Sequence, residues 1–323
     1  MRILGPMLLA ASPALAEPPA LGLPIDCTLG ETCFIQNYVD ADPGPEGADF
    51  TCGPLTYDGH KGTDFALPSF AAMEAGVTVL GAAPGMVVAI RDGMPDTGRD
   101  GTPPDVLAGK DCGNGVVVDH GDGWQTQYCH MKQGSIAVAR GDRVEAGTPL
   151  GEVGYSGNTQ FPHVHLSLRQ DDRVVDPFNT DGAVTCGVDD GPQDDLWSTP
   201  IGYVSAGLIA VGMDSGVPAY DAIKAGDAAH GTLPADIPAL VGWAYAFGGQ
   251  AGDIVDIALT DPSGALFYRH EAALDKGQAQ FFRAAGKRTP PGGWADGDWI
   301  VDARILRGGA VLDAMRATVR IGG

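Results

Sequence analysis

Two histidines spaced two residues apart are the first candidates for metal chemistry in this sequence. They are His163 and His165, in the segment Pro162-His163-Val164-His165-Leu166. Alternate side chains of a β-strand point to the same face, so both imidazoles are expected on one side of a predicted strand. They suit two metal ligands, or one ligand and one catalytic group. For this motif alone, a pair of surface histidines is an equally good explanation.

A third histidine, His130, ends a predicted hairpin strand in the segment Tyr128-Cys129-His130. The same alternation predicts that Tyr128 and His130 share a face and that Cys129 points the opposite way. Cys129 is therefore expected to be a structural thiol or a disulfide partner and not a zinc ligand. Considered alone, His130 would more often be a packing residue than a catalytic one.

An imidazole and a carboxylate stand at positions i and i+4 in the segment from His60 to Asp64. Zinc accepts nitrogen and carboxylate oxygen, and a catalytic zinc site keeps one of its four positions open for water. Gly62 within the segment and Gly59 before it favour a loop or a strand edge. By itself, this pattern is more often an ordinary surface turn.

The three segments carry more weight together than separately. The sequence has 7 histidines, and four of them lie in these segments. Of the others, His120 is expected to make a structural hydrogen bond at the hairpin turn, and His230 and His270 are expected at the surface. We therefore treat the three segments as parts of one predicted site.

This combination resembles the lysostaphin-type (LytM-like) zinc metallopeptidases, a family that cuts the peptide cross-links of peptidoglycan. The motifs that carry the resemblance are HxxxD at His60–Asp64, Tyr-x-His at Tyr128–His130 and HxH at His163–His165, in the family's order. The segments 114–121, 141–144 and 151–157 also resemble the family's sequences. The resemblance covers about residues 57–178, and the ordered combination is far more specific than any one motif.

The resemblance implies that His60, Asp64 and His165 bind Zn²⁺ and that His130 and His163 are the catalytic histidines. Zinc held by two neutral imidazoles and one carboxylate keeps a positive charge, which lowers the pKa of its water and polarises a carbonyl. An uncoordinated histidine beside that water can accept its proton or stabilise the developing oxyanion. The division of these roles between His130 and His163 stays open.

The function implied is that of an exported zinc metalloendopeptidase acting on the stem peptides of peptidoglycan. One alternative is a catalytically silent protein of the same fold that activates or scaffolds another wall hydrolase. Such silent relatives typically lack one or more ligands, whereas all five positions are filled here, which favours activity. Another alternative is a zinc peptidase of this fold that cuts a protein.

The sequence departs from the family pattern around the HxH motif. Residues 158–162 stand where the family has a small glycine-containing turn, and Leu168-Arg169 stands where an acidic residue is often found. The segment 91–113 is a long loop that carries Cys112. These departures bear on the substrate more than on the metal site.

The composition predicts a mostly β fold, because Gly 48 and Pro 24 in 323 residues favour turns and short strands. From residue 77, short strands include a hairpin at 116–128, and no helix is predicted before residue 187. We expect a lysostaphin-type antiparallel β-sheet peptidase domain followed by an immunoglobulin-like β-sandwich without a Cys-Trp-Cys framework. Four aromatic residues of the second part are expected in its core rather than on a binding platform: Trp243, Tyr245, Trp294 and Trp299.

The predicted organisation begins with a signal peptide, which has a positive start at Arg2 and the cleavage motif Ala14-Leu15-Ala16. The protein is therefore expected to be exported, periplasmic or secreted, with no transmembrane segment in the mature chain. The formal net charge of −21 disfavours nucleic acid as a partner. The predicted boundaries are signal peptide 1–16, irregular leader 17–50, zinc peptidase domain 51–186, acidic linker 187–200 and β-sandwich 201–323.

Six cysteines in an exported chain suggest three disulfides. Cys27 and Cys33 are expected to pair because they are close in sequence. Cys112 and Cys129 flank a predicted hairpin and form the next candidate pair, which leaves Cys52 with Cys186. The connectivity is not determined by the sequence, and a zinc–thiolate site is disfavoured because no CxxC spacing occurs.

Overall fold

The computed structural model of the protein describes residues 17–180, 182 and 195–322. Its regular structure consists mainly of antiparallel β-strands, which confirms the predicted mostly β fold. The predicted signal peptide lies outside the described residues, as do positions 187–194 of the predicted linker. In the described ranges, no helix has the length and apolar character needed to cross a bilayer.

The N-terminal half, here residues 17–180, contains short strands and very short helices. They are β1 Phe34–Asn37, β2 Thr63–Ala66, α1 Phe70–Glu74, β3 Thr78–Leu80, β4 Gly85–Arg91, α2 Gly98–Gly101, α3 Pro104–Leu107, β5 Asn114–Gly121, β6 Trp124–Met131, β7 Arg143–Val144, β8 Pro149–Glu152, β9 His163–Gln170 and β10 Arg173–Val175. The main sheet is antiparallel and runs in the order β1–β2–β9–β6–β5–β4–β7, with β10 also beside β9.

Strand alternation along β9 separates the core from the candidate site. Val164 and Leu166 are fully buried in the hydrophobic core with the residues of the β5–β6 hairpin. His163, His165 and Ser167 alternate with them and therefore occupy the opposite face. The predicted hairpin and the predicted strand at 163–168 are both confirmed.

The helices of the N-terminal half correct the prediction that this part has none. α1 is capped by Ser69, whose Oγ accepts a hydrogen bond from the Ala72 amide at 3.2 Å. α2 and α3 lie inside the segment 91–113, which was expected to be a loop. These helices are too short to produce the 3.6-residue hydrophobic period by which a helix is recognised in a sequence.

The composition of the segment 17–50 predicted an irregular leader, but part of this segment has regular structure. It supplies β1, which pairs with β2 at one edge of the main sheet. Leu21, Ile25 and Tyr38 are at most 1% exposed, so the segment also contributes to the core. The Pro, Gly and Asp residues of the segment lie outside residues 34–37. They dominate its composition, so the composition gave no sign of this short buried strand.

The C-terminal half, here residues 195–322, contains longer strands. They are β11 Gly207–Asp214, α4 Tyr220–Ala225, β12 Thr232–Leu233, β13 Ala239–Gly249, β14 Ile254–Thr260, β15 Leu266–Ala273, β16 Gln278–Arg288, β17 Gly297–Arg307 and β18 Ala310–Ile321. One sheet has the order β11–β13–β16 and the other β12–β18–β17–β14–β15, and a hydrophobic core with residues from both joins them. The immunoglobulin-like type of this arrangement and the predicted domain boundaries stay predictions.

The four aromatic residues expected in the core of this half are all buried, but only two of them lie in that core. Trp294 and Trp299 lie in the core between the two sheets. Trp243 and Tyr245 alternate along β13 with residues of that core and instead join the core of the N-terminal half. The sheet β11–β13–β16 is therefore covered by protein on both faces.

The cysteines follow the expected pairing where the structure describes them. Cys27 is bonded to Cys33 and Cys112 to Cys129. Cys186 lies outside the described residues, so its pairing with Cys52 stays a prediction.

A stacked aromatic pair joins the two halves at β1. The rings of Phe34 and Phe247 are 4.7 Å apart, and Phe247 is 3% exposed. We expect Phe247→Ala to lower the free energy of unfolding by about 3 kcal/mol, because it leaves a cavity against β1. Denaturant unfolding measures the change. Leu266→Ala, at a site 63% exposed, is the control and should change stability by less than about 0.5 kcal/mol; equal losses in both variants would contradict the prediction.

Candidate active site

The pairing of β2 with β9 brings Asp64 next to both histidines of the HxH motif. Asp64 is the register partner of His165, and Ala66 is the partner of His163. Oδ1 of Asp64 lies 2.8 Å from Nδ1 of His165 and 3.3 Å from Nε2 of His163. The predicted common face of the two histidines is therefore confirmed.

His60 completes a group of three donor atoms from the turn that precedes β2. Its Nε2 lies 3.2 Å from Oδ1 of Asp64 and 3.1 Å from Nδ1 of His165. Ligand atoms that lie about 2.0–2.1 Å from a tetrahedral zinc ion are about 3.3 Å apart from one another. The triangle of His60 Nε2, Asp64 Oδ1 and His165 Nδ1 therefore has the size that zinc requires. Gly62 permits this approach, since a Cβ there would lie 2.5 Å from the Leu166 carbonyl and 2.6 Å from His165 Nε2.

The far side of each imidazole in the triangle is held by a hydrogen bond. Nδ1–H of His60 donates to the Tyr38 carbonyl at 2.7 Å. Nε2–H of His165 donates to Oγ of Ser167 at 2.9 Å, and this hydroxyl donates to the Lys61 carbonyl at 2.8 Å. These acceptors fix the tautomers, so His60 Nε2 and His165 Nδ1 both present lone pairs.

Asp64 is held in the same way from behind. Its Oδ2 accepts a hydrogen bond from Nδ2 of Asn37 at 2.8 Å, which leaves Oδ1 directed at the two imidazole nitrogens. Lone pairs of the three ligand atoms thus meet within 3.2 Å. This cluster of acceptors calls for a cation, and its mixed nitrogen and oxygen donors suit zinc.

The electrostatics of the group favour the protonation states that a metal needs. Burial would raise the pKa of Asp64, but the neighbouring imidazoles of His60, His163 and His165 hold it well below its usual range. Burial lowers the pKa of His165. Burial also acts to lower the pKa of His60, but the neighbouring Asp64 carboxylate raises it overall. A proton therefore competes with the metal at His60 as the pH falls.

His130 reaches the site by a different route from the one predicted. Tyr128 points into the core, where its hydroxyl accepts a hydrogen bond from the Ala82 amide at 2.7 Å. Cys129 is the register partner of His165 and shares its face, so the expected orientations of Tyr128 and Cys129 were wrong. His130 has a φ of 61°, and this left-handed backbone breaks the strand alternation and turns the ring into the site.

Cys129 is nevertheless no metal ligand, as expected, because its sulfur is bonded to Cys112. The disulfide lies beside the left-handed backbone of His130. The His130 amide donates a hydrogen bond to the Cys112 carbonyl at 2.8 Å. The covalent bond therefore supports the backbone conformation on which the position of His130 depends.

The two histidines outside the donor triangle face each other. The ring centroids of His130 and His163 are 4.6 Å apart. Nδ1–H of His130 donates to the Ser156 carbonyl at 2.8 Å, and Nδ1–H of His163 donates to the Phe161 carbonyl at 3.0 Å. Burial lowers the pKa of His130 well below its usual range, helped by the charges of His163 and His165.

The remaining histidines behave as expected. His120 makes structural hydrogen bonds, with Nδ1 2.7 Å from the Pro84 carbonyl and Nε2 2.9 Å from Oγ1 of Thr126. His230 and His270 are exposed. The structure thus brings together all five predicted site residues and none of the other histidines.

The supporting residues were not identified from the sequence. Ser167 follows His165 at the next position on the same strand face, so alternation along β9 contained a signal for it. Asn37 has no such signal, because it is 27 residues from Asp64. Asn37 and the Tyr38 carbonyl both stand behind the ligands, where they bond to Asp64 and His60.

Comparison with known proteins agrees with the geometry. Residues 58–177 match the model of peptidase family M23. This part of the chain is an M23 peptidase domain. It contains His60, Asp64, His130, His163 and His165.

Individual relatives match part of this chain. Peptidoglycan DD-endopeptidase ShyA of Vibrio cholerae is 31% identical over 109 residues, 34% of this chain and 20% of ShyA. Cell division protein DipM of Caulobacter vibrioides is 36% identical over 64 residues, 20% of this chain and 10% of DipM. The chain therefore spans a fifth or less of the length of these relatives.

Among solved structures, a mutant catalytic domain of the prophage-encoded M23 protein EnpA from Enterococcus faecalis aligns with 48% of this chain and 96% of its own. The two are 24% identical, with a TM-score of 0.33.

The contact between Asn37 and Asp64 gives a test of the metal site. We expect Asn37→Ala to weaken zinc binding by about tenfold, because the carboxylate loses the group that orients it. Competition with a chromogenic chelator measures the dissociation constant. Asn158→Ala is the control, since the Asn158 side chain is exposed and its described hydrogen bond goes to the exposed Asp111 side chain at 3.1 Å. Equal affinities of the two variants would contradict a supporting role for Asn37.

The position of Tyr128 gives a second test. We expect Tyr128→Phe to lower the free energy of unfolding by about 1–3 kcal/mol, because the buried Ala82 amide loses its acceptor. Zinc affinity should stay unchanged, since the hydroxyl points away from the site. Denaturant unfolding and zinc titration of the same variant check both statements, and loss of zinc with unchanged stability would show that the orientation is wrong.

Proposed function

We propose that this chain is an exported zinc metalloendopeptidase that hydrolyses the peptide cross-links of peptidoglycan. The observation that carries the proposal is the convergence of three lone pairs, from His60, Asp64 and His165, beside two further imidazoles. The M23 domain supports peptide hydrolysis. The similarity to proteins named peptidoglycan DD-endopeptidases supports the choice of substrate.

Zinc at this triangle would polarise the scissile carbonyl and lower the pKa of the attacking water. The protein contributes the proton transfers. Because Nδ1–H of His130 and of His163 is bonded to a backbone carbonyl, each neutral ring keeps an unprotonated Nε2. Either Nε2 can accept the proton of the water and then donate it to the oxyanion or to the leaving amine.

Burial adjusts these two imidazoles to that task. His130 is 7% exposed and His163 is 4% exposed, so little water competes for their hydrogen bonds. The lowered pKa of His130 keeps its ring neutral at neutral pH and able to accept a proton. A cleft of about 360 Å³ opens at this point and is lined by His60, His130 and His165, so a peptide can reach them from solvent.

Export is supported by the N-terminal sequence and by the disulfides. The N-terminal sequence has the charge, apolar run and small-residue motif of a signal peptide. The described disulfides, Cys27–Cys33 and Cys112–Cys129, are stable in an oxidising compartment such as the periplasm or the cell exterior.

Digestion of purified peptidoglycan by zinc-loaded protein tests the proposal, with mass spectrometry of the products. We expect cross-linked dimers to disappear and a chelator to stop the loss until zinc is restored. His163→Ala should slow the reaction at least about 100-fold, because a proton-transfer group is removed. His270→Ala, at an exposed histidine, is the matched control and should leave the rate unchanged.

Zinc content separates the competing functions. We expect one zinc per chain in the parent protein and its loss in His60→Ala, whereas His270→Ala keeps it. Intact dimers with zinc-loaded protein would overturn hydrolysis of peptidoglycan and favour the silent activator or a protein substrate. Absence of bound zinc in the parent would overturn the metal site itself.

A further inference from the structure

A second cleft, of about 480 Å³, lies between the two halves of the chain. We call it the interface cleft. It meets the cleft of the active site at Tyr57, whose side chain lines both and is exposed. Its lining includes Asn37, Tyr57 and Phe161 from the N-terminal half and Tyr220, Lys224 and Gln278 from the C-terminal half.

Side chains that line the interface cleft also touch the site histidines. The ring of Phe161 stacks on His163 with centroids 4.5 Å apart, and the ring of Tyr57 packs against His60 at 4.6 Å. Tyr57 thus lies between the interface cleft and His60 of the donor triangle. Phe161 lies between the interface cleft and His163 of the catalytic pair. An extended peptide whose scissile bond lies at the site can continue into this cleft.

The wall from the C-terminal half is held firmly in place. Gln280 donates from Nε2 to Oε1 of Gln36 at 2.8 Å and accepts from the Tyr245 hydroxyl at 2.6 Å. Gln36 in turn donates to the Ala279 carbonyl at 3.2 Å. These bonds cross from β1 to β16, so the wall is set before any peptide arrives, which reduces the entropic cost of binding.

The charge of the cleft selects what it can hold. Among its described lining residues, Lys224 carries the one charged side chain, in a protein whose net charge is −21. Its Nζ lies 2.9 Å from Oδ1 of Asp221, a side chain that is 92% exposed. An ion pair so open to water is weak, and an ammonium has three donors, so Lys224 remains able to bind a further carboxylate.

We propose that the C-terminal half forms a substrate subsite in the interface cleft, where Lys224 binds a carboxylate of the peptide on one side of the scissile bond. This inference rests on the proposed peptidase function. It gives the C-terminal half, which lies outside the M23 match, a role in substrate choice. Peptides with free carboxylates are then preferred over the same peptides in amidated form.

Steady-state kinetics on two substrates test the subsite. One is a cross-linked peptidoglycan dimer with free carboxylates, and the other is the same dimer with its carboxylates converted to carboxamides. We expect Lys224→Gln to raise KM for the first dimer about tenfold, with kcat changed by less than about twofold, and to leave KM for the second unchanged. Lys224→Glu should raise KM for the first dimer further.

Lys287→Gln is the matched control, because Lys287 is exposed near the far end of β16. It should leave both KM values unchanged. Thermal unfolding checks that each variant is folded. Equal KM values of Lys224→Gln and the parent protein, or an equal rise in KM for both dimers, would overturn the role of Lys224.

Equilibrium binding separates this inference from the proposed function. The dimer with free carboxylates is titrated into zinc-loaded His163→Ala protein, with and without Lys224→Gln. Tighter binding that depends on Lys224 supports the subsite even if the parent protein hydrolyses no dimer, in which case only the peptidase function fails. The absence of any Lys224 dependence in binding would overturn the subsite even if hydrolysis is observed.

Discussion

The mutual approach of three lone pairs is the constraint on which the rest of this structure depends. His60 Nε2, Asp64 Oδ1 and His165 Nδ1 lie within 3.2 Å of one another. Without a cation such atoms repel, and only strong support from behind can keep them together. The antiparallel register of β2 and β9 provides the first part of that support, and the hydrogen bonds to the far side of each ligand provide the second.

β1 connects this constraint to the rest of the chain. At one end Phe34 stacks on Phe247 of the C-terminal half, and at the other Asn37 holds the Asp64 carboxylate. Between them Gln36 bonds to β16. The same four-residue strand thus belongs to the packing between the halves and to the support of the metal site. This arrangement explains how a half without site histidines can influence the site and form a wall of the neighbouring cleft.

The sequence predicted the site through the order of its three motifs, and strand alternation gave the correct geometry for the HxH motif. His163 and His165 share a face as expected, since β9 is an uninterrupted strand. The same rule failed at Tyr128, Cys129 and His130, because the left-handed φ of His130 ends the alternation. The alternation of side chains predicts their faces only where the backbone stays extended. No local sequence pattern marks the residue at which the extended backbone ends.

The sequence by itself indicated the mostly β fold, and through the resemblance of three ordered motifs it indicated the five candidate site residues. It favoured the pairs Cys27–Cys33 and Cys112–Cys129 without determining the connectivity. The fold class and the shared face of His163 and His165 follow from residue type and from spacings of a few residues, because alternation along a strand places such residues directly. Only the tertiary structure decided how the ligands are supported and what stands beside them. Asn37 behind Asp64 and Lys224 in the interface cleft come from segments far apart in the chain, and placements of that kind depend on how sheets pack and not on local pattern.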